Sequence, residues 1–296
     1  MTMLERVFIE VDDSSNKMRL DDFLFEKIPT LSRMYLRELI KTERCEVNGA
    51  FENAGRKLKV NDFVEIELDP TRGTAMQPEK IPLDIVYEDA EIIVVNKPAG
   101  MLVHPTHRDK NGTLLNALTY HLNQGIDERS TIRPGLVHRL DKRTSGLMVV
   151  AKSVRVHRVL ADHFKRKIVE KRYIARVEGV ILQDVGTIEA PIGRYAELKL
   201  WNIKHDGKRA LTRLWVRERL ADSTVVELEP VTGRTNQLRI HCASIGHPII
   251  GDTERGGRPF SRLCLAARRL AFRHPTGGQL LEFEIERPEE MFRALN

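Results

Sequence analysis

Asp141 lies in the sequence between Arg139 and the pair Lys142-Arg143, with His138 just upstream, inside the run Gly135 to Lys152, GLVHRLDKRTSGLMVVAK. A carboxylate among three cations is expected to stay ionised and to titrate below its usual range. An ionised carboxylate suits a nucleophile or a base better than a general acid. The alternative is a surface loop with solvated ion pairs, since purely structural pairs perturb carboxylates too. The flanking residues indicate what positions this segment. Leu147 to Ala151 is a continuous apolar run of the length of a buried strand, and Gly135-Leu136-Val137 leads in from the other side. Thr144-Ser145-Gly146 has turn chemistry, because glycine takes a positive φ without steric cost. The sequence therefore describes a charged loop held between two core strands, where a rigid scaffold tends to present catalytic side chains.

Other segments extend the pattern. His138-Arg139-Leu140-Asp141 followed by Thr144-Ser145-Gly146-Leu147 resembles the signature of the RluA-type pseudouridine synthases. Four further segments match in the same order. They are Glu88-Asp89 through Val94-Val95-Asn96-Lys97-Pro98-Ala99-Gly100, Lys171-Arg172-Tyr173-Ile174-Ala175, Thr232-Gly233-Arg234-Thr235, and Gly246-His247-Pro248-Ile249-Ile250-Gly251-Asp252. The resemblance runs from about Arg19 to near the C-terminus.

It implies isomerisation of a uridine in RNA. The N1–C1′ bond breaks, the base turns, and it rejoins through C5, with no change of redox state and no metal or other cofactor. Asp141 would be the essential carboxylate, adding to C1′, adding to C6, or removing the 2′ proton; the residues do not choose among these. Tyr173 would pack on the uracil near the proton lost from C5. Arg234 would pair with Asp141 and hold it ionised. Arg139 would occupy the space left by the flipped nucleotide, Leu238 would line the pocket, and Lys171 would be a phosphate or supporting contact. Flipping is required because neither C1′ nor C5 can be worked on inside a base stack. Two positions depart from the family. Asn236 stands where His is common, and Leu265-Ala266-Ala267 where Leu-His-Ala is common. Asn can replace one imidazole hydrogen bond but carries no charge, which bears on the RNA site chosen and on pH behaviour.

Composition limits the alternatives. The net charge of the 296 residues is +6, and nine Lys/Arg against two acids from Lys152 to Arg176 account for more than all of it. A local cationic stretch is what a polyanion-binding surface requires. Within it, Arg155, Arg158, Lys165 and Arg166 fall opposite the apolar face Val156, Val159, Leu160 and Phe164 of a helix expected from Ser153 to about Lys167. Cys45, Cys242 and Cys264 are far apart with no Cys-x-x-Cys, so inert buried thiols in a reducing compartment are expected, and no metal site. No glycine-rich phosphate loop is present to hold a nucleotide cofactor. The N-terminal residues lack a secretory pattern, and no apolar stretch approaches the ~18 residues of a membrane span. A cytoplasmic monomer with RNA as its partner and no membrane association is the expectation.

At the N-terminal end, Leu20, Phe23, Leu24 and Ile28 have helical spacing, and Pro29 is expected to end that helix. Ser32 can cap a second helix through about Arg44, placing Arg33, Arg37, Lys41 and Arg44 in one arc. Short strands follow around Val47-Asn48-Gly49, a turn, and over Asp62 to Leu68. This arrangement resembles the S4 RNA-binding domain; a small helical cap with a solvated charged face is the other reading. Asp69 to Lys80, DPTRGTAMQPEK, reads as a linker. The expected division is an S4-like domain at 1–70, a linker at 71–80 and a catalytic domain at 81–296. The later hairpins, Arg209 to Arg219 with Thr224 to Glu229 and Leu263 to Phe272 with Leu280 to Glu286, give an α+β fold with a mixed, mostly antiparallel sheet.

The expected function is a pseudouridine synthase acting on large-subunit ribosomal RNA. The alternatives are a synthase acting on transfer RNA, an S4-type RNA-binding protein with an inactive synthase fold, and a glycoside hydrolase, which would need a second carboxylate beside Asp141.

Overall fold

The computed structural model describes residues 4–28, 31–69, 77–106, 109–125, 132–197 and 200–291. The chain forms two compact units, Met1–Ile81 with Pro105–Arg133, and Pro82–His104 with Pro134–Asn296. The first unit thus takes a segment, Pro105–Arg133, that the sequence reading assigned to the catalytic part. Residues 70–76 of the expected linker, and Pro29, lie outside the described residues.

In the first unit, β1 (Glu5–Glu10), β2 (Cys45–Val47), β3 (Ala50–Phe51) and β4 (Phe63–Leu68) form an antiparallel sheet in the order β1-β4-β2-β3. Helices α1 (Leu20–Lys27) and α2 (Arg33–Lys41) share its core through Leu20, Phe23, Leu24, Leu36 and Leu39, which meet Val47, Val64 and Ile66. Ser32 caps α2 by accepting from the Tyr35 N–H at 3.2 Å, as expected of serine before an apolar-periodic run. The helix ends earlier than its arginine spacing suggests. Glu43 takes a left-handed φ of 56°, so Arg44 is not on the helix but leads into β2, where its carbonyl accepts from Glu67 N–H at 2.9 Å. Asn48 and Gly49, at φ 53° and 75°, make the tight β2–β3 turn. The other segment of the unit contributes α3 (Leu114–Leu122), whose start is fixed by a Thr113/Asn116 capping box.

The second unit is built on a ten-stranded sheet. Its strands are β5 (Ile85–Glu88), β6 (Ile92–Lys97), β7 (Gly135–Leu136), β8 (Ser145–Ala151), β9 (Glu170–Glu178), β10 (Val185–Glu189), β13 (Leu211–Arg219), β14 (Ser223–Pro230), β15 (Leu265–Arg273) and β16 (Leu280–Glu284). Strands β11 (Ile192–Tyr195) and β12 (Leu200–Ile203) form a separate hairpin. The main path runs β10-β13-β14-β9-β15-β8-β6-β5, with β16 on β15 and β7 on β8. All these pairings are antiparallel except β8 with β15, which run parallel at Ser145–Gly146 against Ala266–Ala267. Strands β6 and β8 are apolar along nearly their whole length because both faces are covered. On one of those faces lie Val156 and Leu160 of α4 (Val154–Lys165), with Leu270 and Phe272. Helix α5 (Gln237–Ser244) contributes Leu238 and Cys242 to the core of β9, β14 and β15.

Gly146 is not a turn residue. It sits inside β8 at φ 116°, and a Cβ built there would lie 2.2 Å from the carbonyl oxygen of Ala267. Glycine is required because the two halves of the sheet touch backbone to backbone at this point.

Candidate active site

A cavity of about 490 Å³ opens in the second unit. It is framed by the loop before β8, the C-terminal end of α4, the start of β9, and the turn from β14 into α5. Asp141, Tyr173, Arg234, Arg139, Lys171, Leu238 and Lys165 all line it, so the structure gathers seven of the positions singled out in the sequence. The α4 residues Arg155, Arg158 and Arg166 do not line it. Arg155 pairs with Glu91 at 2.8 Å and donates to the Thr276 hydroxyl, and Arg166 faces Asp162 at 3.5 Å.

The loop carrying Asp141 is braced from below. Lys97, at the end of β6, has no solvent exposure. Its ammonium donates to the carbonyls of Pro98 and Met101 at 2.8 Å each, and more weakly to Lys142 at 3.4 Å. The Gly100 N–H also donates to the Lys142 carbonyl at 2.8 Å. A buried ammonium needs such a set of acceptors. Burial pushes the Lys97 pKa down to about 8, with Arg262 adding to the effect and Asp141 opposing it. In the sequence Lys97 stands only as part of the matching segment Val94 to Gly100, and nothing there marks it as a buried brace.

His138 is a brace as well. Its Nε2 accepts from the Val149 N–H at 3.1 Å, which leaves the ring proton on Nδ1, and the ring stacks on Phe164 at 4.6 Å. Burial, helped by Lys171, pushes its pKa down to about 3, so it stays neutral.

The charge on Asp141 is set differently from the expectation. Burial raises its pKa, and this outweighs the opposing effects of Arg239, Arg139, Lys97 and Arg255. Of its sequence neighbours only Arg139 is among these cations; Arg143 turns away to donate to the Gly251 carbonyl. Nor is Arg234 the partner of Asp141. Its Nε donates to the Arg209 carbonyl at 3.1 Å, while its backbone N–H is held by Gln237 Oε1 at 3.0 Å. The cation with the largest influence on Asp141 is Arg239, in the first turn of α5 and only 7% exposed. Arg239 is committed elsewhere by hydrogen bonds. It grips Asp252 with Nε and Nη2 at 2.7 and 2.6 Å, Glu254 at 2.7 Å, and Asn236 Oδ1 at 3.2 Å. Arg255, 5% exposed, donates to the Trp201 carbonyl at 3.1 Å and stands 3.9 Å from Asp252. Asp141 therefore lies in the field of these guanidinium groups without being tied to them.

Tyr173 flanks the cavity from β9, its phenol pushed to higher pKa first by burial and then by the Asp141 charge. Beside it the Lys171 ammonium is pushed down by burial, partly offset by Glu229. Glu229 is the other carboxylate on the lining, and Arg172 and Arg213 hold it at 3.1 and 3.4 Å. Asn236 adopts the left-handed region, φ 54°, at the start of α5, a conformation that asparagine tolerates. The Thr144 hydroxyl is buried on the cavity wall and has no hydrogen-bond partner among the described residues. Among the described residues no three His, Cys, Asp or Glu side chains gather as a metal-ligand set, and no helix is long and apolar enough to cross a membrane.

The sheet and the carboxylate-centred cavity agree with the comparison to known proteins. Residues 91–244 match the family model of the RNA pseudouridylate synthases, and this chain belongs to that family. Its relatives include an RNA pseudouridine synthase of Aquifex aeolicus, 39% identical with 95% of this chain and 94% of that protein covered. Another is the ribosomal large subunit pseudouridine synthase D of Haemophilus influenzae, 35% identical over 97% of this chain and 93% of that one. Among solved structures, human RNA pseudouridylate synthase domain containing 1 superposes with a TM-score of 0.58 at 29% identity, covering 72% of this chain and 85% of that one.

Proposed function

We propose that this enzyme isomerises specific uridines of large-subunit ribosomal RNA and that Asp141 is its essential carboxylate. The observation that carries the proposal is Asp141 standing in the cavity with Tyr173 and Leu238, surrounded by cations but hydrogen-bonded to none of them. A desolvated carboxylate with a raised pKa is more basic and has less hydration to shed before it attacks or accepts a proton. The arginines around it limit that rise and balance the charge as it moves onto the base or sugar.

The flipped uridine enters the cavity, whose volume falls within the ~300–1,000 Å³ of small-molecule sites. Its base packs on Tyr173 and Leu238. Arg139, exposed at the rim, takes the space left in the RNA, while Lys171 and Lys165 meet phosphates. Asp141 takes part as the N1–C1′ bond breaks; the base turns, the C5–C1′ bond forms, the C5 proton leaves beside Tyr173, and N1 takes up a proton, so the product is an isomer of the substrate. Arg239 takes the role that the family resemblance suggested for Arg234. Arg234 remains a rim cation.

The choice of large-subunit RNA is supported by the names of relatives spanning nearly the whole chain, including the synthase D of Escherichia coli O157:H7 at 36% identity over 99% of this chain. The reaction is placed in the cytoplasm. Every residue with a role comes from one chain, so a monomer suffices. In the N-terminal unit, read as an S4-like arm, Arg33, Arg37, Lys41 and Arg44 supply RNA affinity. On α4, Arg155, Arg158 and Arg166 extend the cationic surface away from the cavity.

Two measurements test the proposal. Tritium should be released from 5-labelled uridine in a large-subunit RNA transcript. Pseudouridine-specific stops in that RNA should disappear in a strain lacking the protein. Stops lost only from transfer RNA would overturn the substrate assignment.

A further inference from the structure

A second cavity, of about 400 Å³, lies in the N-terminal unit. Arg37, Ile40 and Lys41 of α2 form one side, and Phe51 of β3 with Glu52, Asn53 and Ala54 forms the other. Phe51 leaves 54% of its surface in solvent. Exposure alone is ordinary for a single apolar residue; what sets Phe51 apart is that it lines a cavity together with fixed polar groups.

The polar groups around it are held in place. Asp21, fully buried, takes Nε and Nη2 of Arg37 at 2.7 and 2.5 Å and fixes the guanidinium plane; Nη1 is left without a partner among the described residues. Arg19 donates to the same carboxylate at 3.0 Å, so the cluster keeps an excess of positive charge. Lys41 is exposed and has no ion-pair partner among the described residues. Asn53 uses its Oδ1 to accept from the Gly55 N–H at 2.9 Å, which frees its NH₂ group to donate outward. Of the two acids on the lining, Glu52 is neutralised by Arg56 at 2.6 Å, leaving Glu43.

A planar aromatic face, an oriented guanidinium, a free ammonium and an amide donor together match one nucleotide. We propose that this cavity binds a single-stranded RNA nucleotide, with its base on Phe51, its phosphate between Arg37 and Lys41, and a base carbonyl facing Asn53. The inference rests on the reading that the protein acts on RNA, and it adds a stacking site to what was otherwise a purely electrostatic surface. Stacking and phosphate contacts leave different signatures. Stacking tolerates salt, whereas each lost phosphate contact lowers the log–log salt slope, by about 0.7 on a single strand.

The test uses the full-length protein with a fluorescein-labelled oligouridine and, in parallel, inorganic polyphosphate, which has charge but no bases. Phe51→Ala should weaken oligouridine binding at least about fivefold with an unchanged salt slope and unchanged affinity for polyphosphate, and Phe51→Trp should restore it. Lys41→Ala should flatten the slope. Phe51→Ala binding oligouridine like the wild type, or losing RNA and polyphosphate equally, overturns the site, as does failure of Trp to restore binding. Tritium release by the wild type is a separate readout. Turnover without Phe51-dependent binding overturns the cavity alone, and Phe51-dependent binding by an enzyme that never turns over overturns the functional reading alone.

Discussion

Asp21, fully buried, and Asp141, half-buried on the cavity wall, both stand among arginines, and they are treated in opposite ways. At Asp21, burial alone would raise the pKa, but hydrogen bonds from Arg19 and Arg37, followed by their charges, take it below the usual range. At Asp141, burial prevails, because the cation that acts on it most, Arg239, has given its hydrogen bonds to Asp252 and Glu254. Proximity of opposite charge is common to both sites. The direct hydrogen bond is what differs, and it separates a carboxylate that ties helices together from one left free to react.

The largest expected contrast comes from removing each negative charge. Asp141→Asn should abolish detectable tritium release while leaving thermal stability unchanged or slightly higher, since a half-buried charge with no hydrogen-bonded cation is lost. Asp21→Asn should do the reverse, costing about 2 to 3 kcal/mol in a denaturant titration and leaving turnover of bound RNA intact. A value at or below the ~3 kcal/mol floor for fully buried pairs applies because its arginines keep one side in water. Activity surviving in Asp141→Asn would erase the distinction.

Next in size is the choice of arginine. Arg239→Ala should cut kcat and move the acidic limb of the pH–rate profile to higher pH, because Asp141 loses the cation that most opposes its protonation. Arg234→Ala should leave that limb in place and act mainly on KM. The reverse pattern would restore Arg234 as the partner.

The two sites should also bend the stability–pH curve in opposite senses. With its folded pKa lowered, Asp21 contributes stability above its unfolded pKa that is lost as pH falls through the folded value. Asp141, raised, favours the folded state when protonated, and that contribution is lost as pH rises through its folded value. Differences between wild type and each Asn variant should therefore slope in opposite senses, for Asp21 below the ordinary carboxylate value of 3.8 and for Asp141 above it.

The smallest effect is expected at Asn236, which supports Arg239 by a single hydrogen bond at 3.2 Å. Asn236→Ala forfeits about 1 kcal/mol, a few-fold in kcat, with the acidic limb moving slightly in the direction seen for Arg239→Ala. No movement of the limb would show that Asn236 does not act through Arg239.

Much of this was visible before folding. Caps at Ser32 and Ser153 are local chemistry, and each occurs where its residue type predicts. The hairpins of β13 with β14 and β15 with β16 follow from alternation and turn residues. Arg239 was missed for a tertiary reason. Its influence on Asp141 depends on the approach of α5 to the loop before β8, and no spacing records that. The expected lowering of the Asp141 pKa failed on similar grounds, since counting neighbouring cations ignores both desolvation and the partners those cations find elsewhere. Arg33 and Arg37 share an arc of α2 as expected, but their ion pairs with Asp22 and Asp21 required α1 to pack alongside.

The backbone contact at Gly146 has a consequence for synthesis. Chemistry needs the loop before β8, the start of β9 and the turn into α5, and the sheet carrying them is joined by the pairing of Ser145–Gly146 with Ala266–Ala267. That pairing spans more than a hundred residues of chain, and contacts so distant in sequence form late and slowly. A chain still on the ribosome with β15 unmade has every side chain assigned to the reaction and no joined sheet to hold them. Until β15 pairs with both β8 and β9, nothing joins the strand after Asp141 to the strand carrying Tyr173.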